Sequence, residues 1–293
     1  MCPENPKQYA VTNSRNLKLI GVDLGGTNVR AGLVQNRRLV ALQKRPISAK
    51  AKQQVVINEV CDTIASVLQP GVAGIGIGVP SAVDAKGIVH SVANIPSWHA
   101  VPLKKILERR FGVPAFVNND AKCFALGELH FGEGRGYKNL VGLIVGTGLG
   151  AGVIIDGKLF SGINRGAGEV GHIPYLKGDF EHYCSGRFFV REFGMDAFTI
   201  QKRADAGDRK AQAMFAAFGD HFANAIMAVL YAYDPEIIVL GGGVSRAYPY
   251  FEKRMRAGLR AFRFQSSLKK LVITQTRKPH IAVLAAASLC IGG

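Results

Sequence analysis

Residues 140–172 read LVGLIVGTGLGAGVIIDGKLFSGINRGAGEVGH. The first six residues, Leu140–Val145, form a nearly unbroken apolar run, which marks a buried strand. Gly146-Thr147-Gly148 follows as a tight turn of bare backbone amides. Residues 150–155 are apolar again, and Asp156-Gly157 is a hairpin turn signal. The unit is strand, glycine turn, strand. Free N–H groups in such a turn can cradle an anion, phosphate above all. Gly146, Gly148 and Ala151 also satisfy G-x-G-x-x-G/A. That pattern reports a dinucleotide site only when a helix follows it, and here a second strand follows. A glycine-rich hairpin without a ligand is the plain alternative.

The same design occurs earlier. Residues 19–34 read LIGVDLGGTNVRAGLV, an apolar strand, a Gly25-Gly26-Thr27 turn and a returning strand. Asp23 sits where the turn begins, placed to hold a metal-bound water or a phosphate-bound cation. Two such turns about 120 residues apart point to two similar half-domains facing each other across a nucleotide.

The stretch from Val145 to His172 resembles the signature of the ROK family, the repressors, open reading frames and kinases. It has an apolar residue, spaced glycines at Gly148, Gly150 and Gly162, a small residue at Gly168, and a closing Gly171-His172. The resemblance runs from about Leu17 to the C-terminus. It implies an α/β, two-domain actin-like (ribonuclease H-like) ATPase fold with the active site in the interdomain cleft. The expected division is 17–120 and 121–279, with a helix over 280–293 packing back on the first domain. It also implies transfer of the ATP γ-phosphate to a hexose hydroxyl.

Composition is compatible with this. The 293 residues suffice for two ordinary domains, and 48% apolar content supports full cores. No apolar run reaches the roughly 18 residues of a membrane span. No apolar signal core opens the chain, so a cytoplasmic protein is expected. Five scattered cysteines are expected as reduced, mostly buried thiols. The net charge of +16 includes an acid-free stretch after Glu252, holding Lys253, Arg254, Arg256, Arg260, Arg263, Lys269, Lys270, Arg277 and Lys278. A solvated basic face explains it, and so does attraction of ATP, polyphosphate or nucleic acid.

Residues 1–16 are polar and aperiodic and read as a loose arm, too short for the helix-turn-helix domain of the family's repressors. Residues 17–40 read as the first hairpin, with 45–48 as a third strand. Residues 52–68 have helical spacing, 72–79 read as a glycine-laced strand, and 81–98 as a loop. A helix is expected over 103–111, ended by Gly112. Residues 115–117 form a short strand delivering Asn118-Asn119-Asp120 to a helix over 121–131. Helices follow over 187–204 and 209–232, a strand over 237–240 running into Gly241-Gly242-Gly243, a basic helix over 248–262, a strand over 271–276 and a helix over 280–290.

Asp120, at a strand end and a helix start, is a good N-cap. The helix N-terminus would keep it ionised, as a general base requires. By resemblance Asp120 is the catalytic base, and Asn94, Asn119, Glu169, His172 and Glu181 join it in holding the sugar. Asn94 lies in NIPSWHAVPL, which resembles the family's sugar-touching segment. It could equally cap a turn, and Ser81 stands where the family commonly has glycine. Phosphates would lie against Asp23, Gly25, Gly26, Thr27, Asn28, Gly146, Thr147 and Gly148. Gly241, Gly242 and Gly243 resemble the adenosine-side turn. Mg²⁺ with ATP is the expected cofactor, near Asp23. Many ROK proteins carry a Cys-rich zinc loop between the His and Glu positions. Here the segment is IPYLKGDFEHYCSGR, leaving only His182 and Cys184 as soft ligands near His172. A structural zinc wants four such ligands, so none is expected.

Glucose is the leading substrate, with N-acetylmannosamine, mannose, fructose and allose as alternatives within the family. Polyphosphate as donor, a sugar-sensing regulator and an actin-like ATPase are the rival readings. The expected partners are ATP and a small sugar, with a homodimer implied by the family. Neither membrane nor nucleic acid is expected.

Overall fold

The computed structural model describes residues 17–292 of the chain. The loose arm expected over residues 1–16 lies outside the described residues. By its contacts the chain divides into two compact units, one of residues up to Asp120 and from Ala282 onward, the other from Ala121 to Ile281.

The first unit is built on β1 (Lys18–Leu24), β2 (Asn28–Gln35) and β3 (Arg38–Pro46), followed by α1 (Gln53–Ala65) and β4 (Val72–Val79). β5 (Val89–Val92) and β6 (Ile95–Val101) pair with each other, and α2 (Leu103–Phe111) leads to β7 (Ala115–Asn119). The main sheet runs β3-β2-β1-β4-β7, with the first three strands antiparallel and β1, β4 and β7 parallel. Two expectations need correction. The third strand starts at Arg38, not at residue 45, because Asn36 and Arg37 both adopt positive φ and close a two-residue hairpin without glycine. Residues 81–98 are not a plain loop, since the β5–β6 hairpin occupies much of them and buries Trp98 completely.

In the second unit α3 (Asp120–Phe131) enters from the boundary and is followed by β8 (Leu140–Val145), β9 (Leu149–Ile155) and β10 (Lys158–Phe160). A 3-10 turn at Val170–His172 leads into the small hairpin β11 (Pro174–Tyr175) and β12 (Gly178–Asp179). Then come α4 (Phe180–Cys184), α5 (Gly186–Phe193), α6 (Ala197–Asp205), α7 (Arg209–Tyr233), β13 (Ile237–Gly241), α8 (Tyr248–Gly258), α9 (Gln265–Lys270) and β14 (Val272–Gln275). The sheet order β10-β9-β8-β13-β14 repeats the pattern of the first unit, three antiparallel strands followed by two parallel additions. The single helix expected over 187–204 is two helices. Gly194, at φ 67°, ends α5, and the Asp196 carboxylate caps α6 by accepting from the Thr199 amide. The helix expected over 248–262 likewise stops at Gly258, and a 3-10 turn continues to Ala261.

α7 has the length and composition of a membrane span. Its Phe215, Phe218, Phe222, Ile226 and Val229 are instead fully buried in the core of the second unit, so it is a core helix. The last helix, α10 (Ile281–Gly292), belongs with the first unit. It lies so close to the sheet that a Cβ on Gly21 would sit 1.9 Å from the Val283 carbonyl oxygen, and one on Gly76 1.8 Å from that of Ala286.

Candidate functional site

In the first unit the candidate residues gather at the carboxyl ends of the parallel strands, where open α/β sheets bind ligands. Asp23, Gly78 and Asn118 are in register across β1, β4 and β7. The turn after β1 is closed by the Gly25 amide donating to the Asn28 carbonyl at 2.9 Å, and the Asn28 side chain donates to the Thr27 hydroxyl at 2.9 Å. Asn94 lies against this turn, because a Cβ on Gly26 would stand 2.7 Å from the Asn94 Cβ. Asp23 is not bare. Arg30 on the returning strand donates to its Oδ2 from Nε at 2.8 Å and also from Nη2.

Asn119 ends β7, with its side chain donating to the Ser81 carbonyl at 3.4 Å and its amide donating to Asn118 Oδ1 at 2.9 Å. Ser81 turns its own hydroxyl onto the Ser91 carbonyl of the β5–β6 hairpin. The chain therefore ties the segment carrying Asn94 to the strand that delivers Asp120. Asp120 is the first residue of α3, where the helix dipole favours its ionised form.

In the second unit the Gly146-Thr147-Gly148 turn is closed by the Gly146 amide on the Gly148 carbonyl at 2.9 Å. The Gly146 carbonyl in turn accepts the Gly186 amide at 2.7 Å, at the start of α5. Glu181 on α4 reaches the same turn. Its Oε2 accepts the Leu149 amide at 3.1 Å, and its Oε1 accepts Arg187 Nη1 at 2.8 Å. A cavity of about 620 Å³ opens beside the turn, lined by Gly146, Thr147, Gly186, Arg187, Val190, Arg191, Asp196, Ala197, Phe198, Gly243, Val244 and Arg246.

The three consecutive glycines thus divide. Gly243 reaches the cavity. A Cβ on Gly241 would meet the Phe124 ring at 2.5 Å, and one on Gly242 (φ 87°) would meet the Val145 carbonyl at 2.4 Å, so those two serve close packing. Arg187, Phe198 and Arg246 escaped the sequence reading. Nothing in their local pattern separates them from surface residues, and only the fold brings three distant segments to one cavity.

Glu169 immediately precedes the 3-10 turn and His172 is its last residue. That segment lies on β9, where a Cβ on Gly168 would stand 2.2 Å from the Ala151 carbonyl and one on Gly171 2.2 Å from that of Leu149. Lys122, two residues into α3 and nearly fully buried, donates to the Arg165 carbonyl. Burial pulls its ammonium below the ordinary lysine range, and the charge of Glu169 opposes that shift. The sequence reading missed Lys122, which looked like one more helical lysine. His172 Nδ1 lies 3.6 Å from Asp179 Oδ2. His172, His182 and Cys184 do not converge. Cys184 is fully buried, and among the described residues no three His, Cys, Asp or Glu side chains form a possible metal site.

Sequence comparison matches the ROK family over residues 19–292. The chain belongs to the ROK family. It is 35% identical over 264 residues to a glucokinase of Thermotoga maritima, covering 79% of this chain and 83% of that one. It is 32% identical over 253 residues to an N-acetyl-D-glucosamine kinase of Pectobacterium carotovorum, covering 77% and 83%. Among solved structures, a ROK family glucokinase from Streptomyces griseus, in complex with glucose and AMPPNP, superposes with a TM-score of 0.81 at 28% identity, covering 93% of this chain and 98% of that one. A ROK hexokinase from Thermus thermophilus gives a TM-score of 0.79 at 28% identity, covering 93% and 97%. The two repeated sheets are those of the actin-like ATPase fold.

Proposed function

We propose that this ROK protein, a sugar phosphotransferase, transfers the γ-phosphoryl group of Mg-ATP to the 6-hydroxyl of glucose. The cavity of the second unit carries the reading. The Gly146-Thr147 backbone, a glycine after β13, the arginines Arg187 and Arg246 and the exposed ring of Phe198 surround one space, a combination suited to phosphates at one end and a purine at the other.

Asp120 takes the proton from the sugar hydroxyl, a contribution of about 10²–10⁴-fold for a positioned base. Phosphoryl transfer asks little covalent chemistry of a protein, so the remaining residues position and neutralise. In the Gly25–Thr27 and Gly146–Gly148 turns, the backbone amides other than those of Gly25 and Gly146, which close the turns, donate to phosphate oxygens. Asn94, Asn119, Glu169, His172 and Glu181 fix the sugar. A polar site of this kind rejects sugars that leave one of its groups unpaired. Asp23, with Oδ2 held by Arg30, retains a hard carboxylate oxygen that fits a water on Mg²⁺. The ion, when bound with ATP, neutralises charge on the transferred group.

N-acetyl-D-glucosamine is the second reading, favoured by relatives bearing that name at 30–33% identity. The test is ADP release from Mg-ATP across glucose, N-acetyl-D-glucosamine, N-acetylmannosamine, mannose and fructose, with Asp120→Ala beside the wild type and polyphosphate as an alternative donor. Turnover on glucose, reduced at least about a hundredfold in the variant, is the expected result. Equal rates in both proteins remove Asp120 as the base. An inert wild type on every sugar and donor overturns the kinase reading.

A further inference from the structure

We infer that Asp179 is a positioning residue for the sugar, acting through His172 by fixing which ring nitrogen carries the proton. The inference rests on the proposed role of His172 in holding a sugar hydroxyl.

Asp179 closes the β11–β12 hairpin and immediately precedes α4. Its two carboxylate oxygens have separate tasks. Oδ1 accepts the His182 amide at 2.8 Å and so caps the helix that carries Glu181. Oδ2 is left facing His172 Nδ1 at 3.6 Å. At 3.6 Å the contact is an ion-pair distance, longer than a hydrogen bond, and the negative charge beside Nδ1 favours the tautomer that carries the proton there, since a carboxylate accepts and never donates. In the neutral ring the partner facing one nitrogen sets the state of the other. With Nδ1 protonated, Nε2 is left as an acceptor, on a ring that is two-thirds exposed and free to meet a ligand. An acceptor there receives a hydroxyl proton from the sugar. The opposite tautomer would present a donor instead, and the sugar hydroxyl would have to turn its lone pair toward it. The hairpin thus connects His172 and Glu181 through one side chain that serves both.

Asp179→Asn separates the two tasks. The amide oxygen keeps the cap, since Asn caps helices as well as Asp, and the NH₂ group then faces Nδ1 and donates to it. The tautomer should reverse while α4 keeps its start. Asp179→Ser is the companion variant, which caps but leaves Nδ1 without the carboxylate.

The first readout is nitrogen NMR of the His172 ring in the sugar-free protein, at a pH where the ring is neutral. The wild type should show the proton on Nδ1, Asp179→Asn on Nε2, and Asp179→Ser a mixture. The second readout is steady-state kinetics. Asp179→Asn should raise KM for the accepted sugar by roughly three- to tenfold, the scale of one hydrogen bond, with kcat changed less than about twofold and KM for ATP unmoved. A wild-type ring protonated on Nε2, or a tautomer identical in all three proteins, overturns the inference. A reversed tautomer with unchanged sugar KM overturns the positioning role. An inert wild type is a failure of the kinase reading instead, and the NMR arm, taken without sugar, still decides whether Asp179 governs His172.

Discussion

Glu181 holds the Leu149 amide with one oxygen and the Arg187 guanidinium with the other, so a residue read as a sugar ligand also braces the glycine turn. The ion pair is open to solvent on the arginine side, and such pairs contribute little stability, about 0–1 kcal/mol. Its consequence is positional, since Arg187 also lines the cavity. A deeper carboxylate behaves differently. Glu128 on α3 is fully buried, and its Oε2 accepts the Glu133 amide at 2.8 Å. Burial pushes its carboxyl above the ordinary 4.5. A raised carboxyl means that the folded state holds the proton more tightly than the unfolded one. Its favourable share is complete below about pH 4.5 and is lost as pH rises through the folded value. Glu128→Gln keeps an oxygen for the Glu133 amide and removes the titration. It should flatten the decline in stability above pH 4.5 and leave the variant at least as stable as the wild type at pH 8, read as Tm against pH. An unchanged slope would refute this.

At the scale of elements, most segments follow from local pattern. The strands 140–145 and 72–79 and the helix 103–111 lie where periodicity and the flanking turns put them. The misses have local causes. Asn36-Arg37 makes a hairpin turn without glycine, and Gly194 followed by Asp196 was a readable stop and restart that the apolar spacing obscured. The seat of α10 is a tertiary matter. Gly21 and Gly76 admit its backbone against the sheet, and a side chain at either position must push the helix away. Gly76→Ala should destabilise the protein by about 1–3 kcal/mol through overpacking, visible as a Tm lower by several degrees with little change in KM for substrates. A Tm within a degree of wild type would show that α10 yields freely.

Across the whole molecule, one sheet pattern occurs twice, and in each unit the turn between its first two strands, β1–β2 and β8–β9, carries candidate ligand contacts. Ligands that bind only the folded protein stabilise it by mass action. Glucose at a hundred times its Kd should add about 2.7 kcal/mol, raising Tm, whereas an open-chain polyol should not. A Tm indifferent to every sugar of the panel would count against a sugar site. The basic C-terminal stretch is partly neutralised, with Arg254 paired to Asp220 and Arg256 to Glu252. The remaining cations add to a positive field that attracts anionic substrates.

From sequence alone came the repeated strand–glycine turn–strand unit, the family, and the segments carrying Asp23, Asp120 and the Glu169–His172 pair. These are local features, recorded in apolar period and in turn chemistry that neighbouring residues dictate. The tertiary structure alone decided which glycine after β13 reaches the cavity, that Arg187, Phe198 and Arg246 line it, that Lys122 is buried with its ammonium on the Arg165 carbonyl, and that one oxygen of Asp179 faces His172. Each of these depends on segments far apart in the chain being brought within a few ångströms by core packing, and spacing along a sequence carries no measure of that distance.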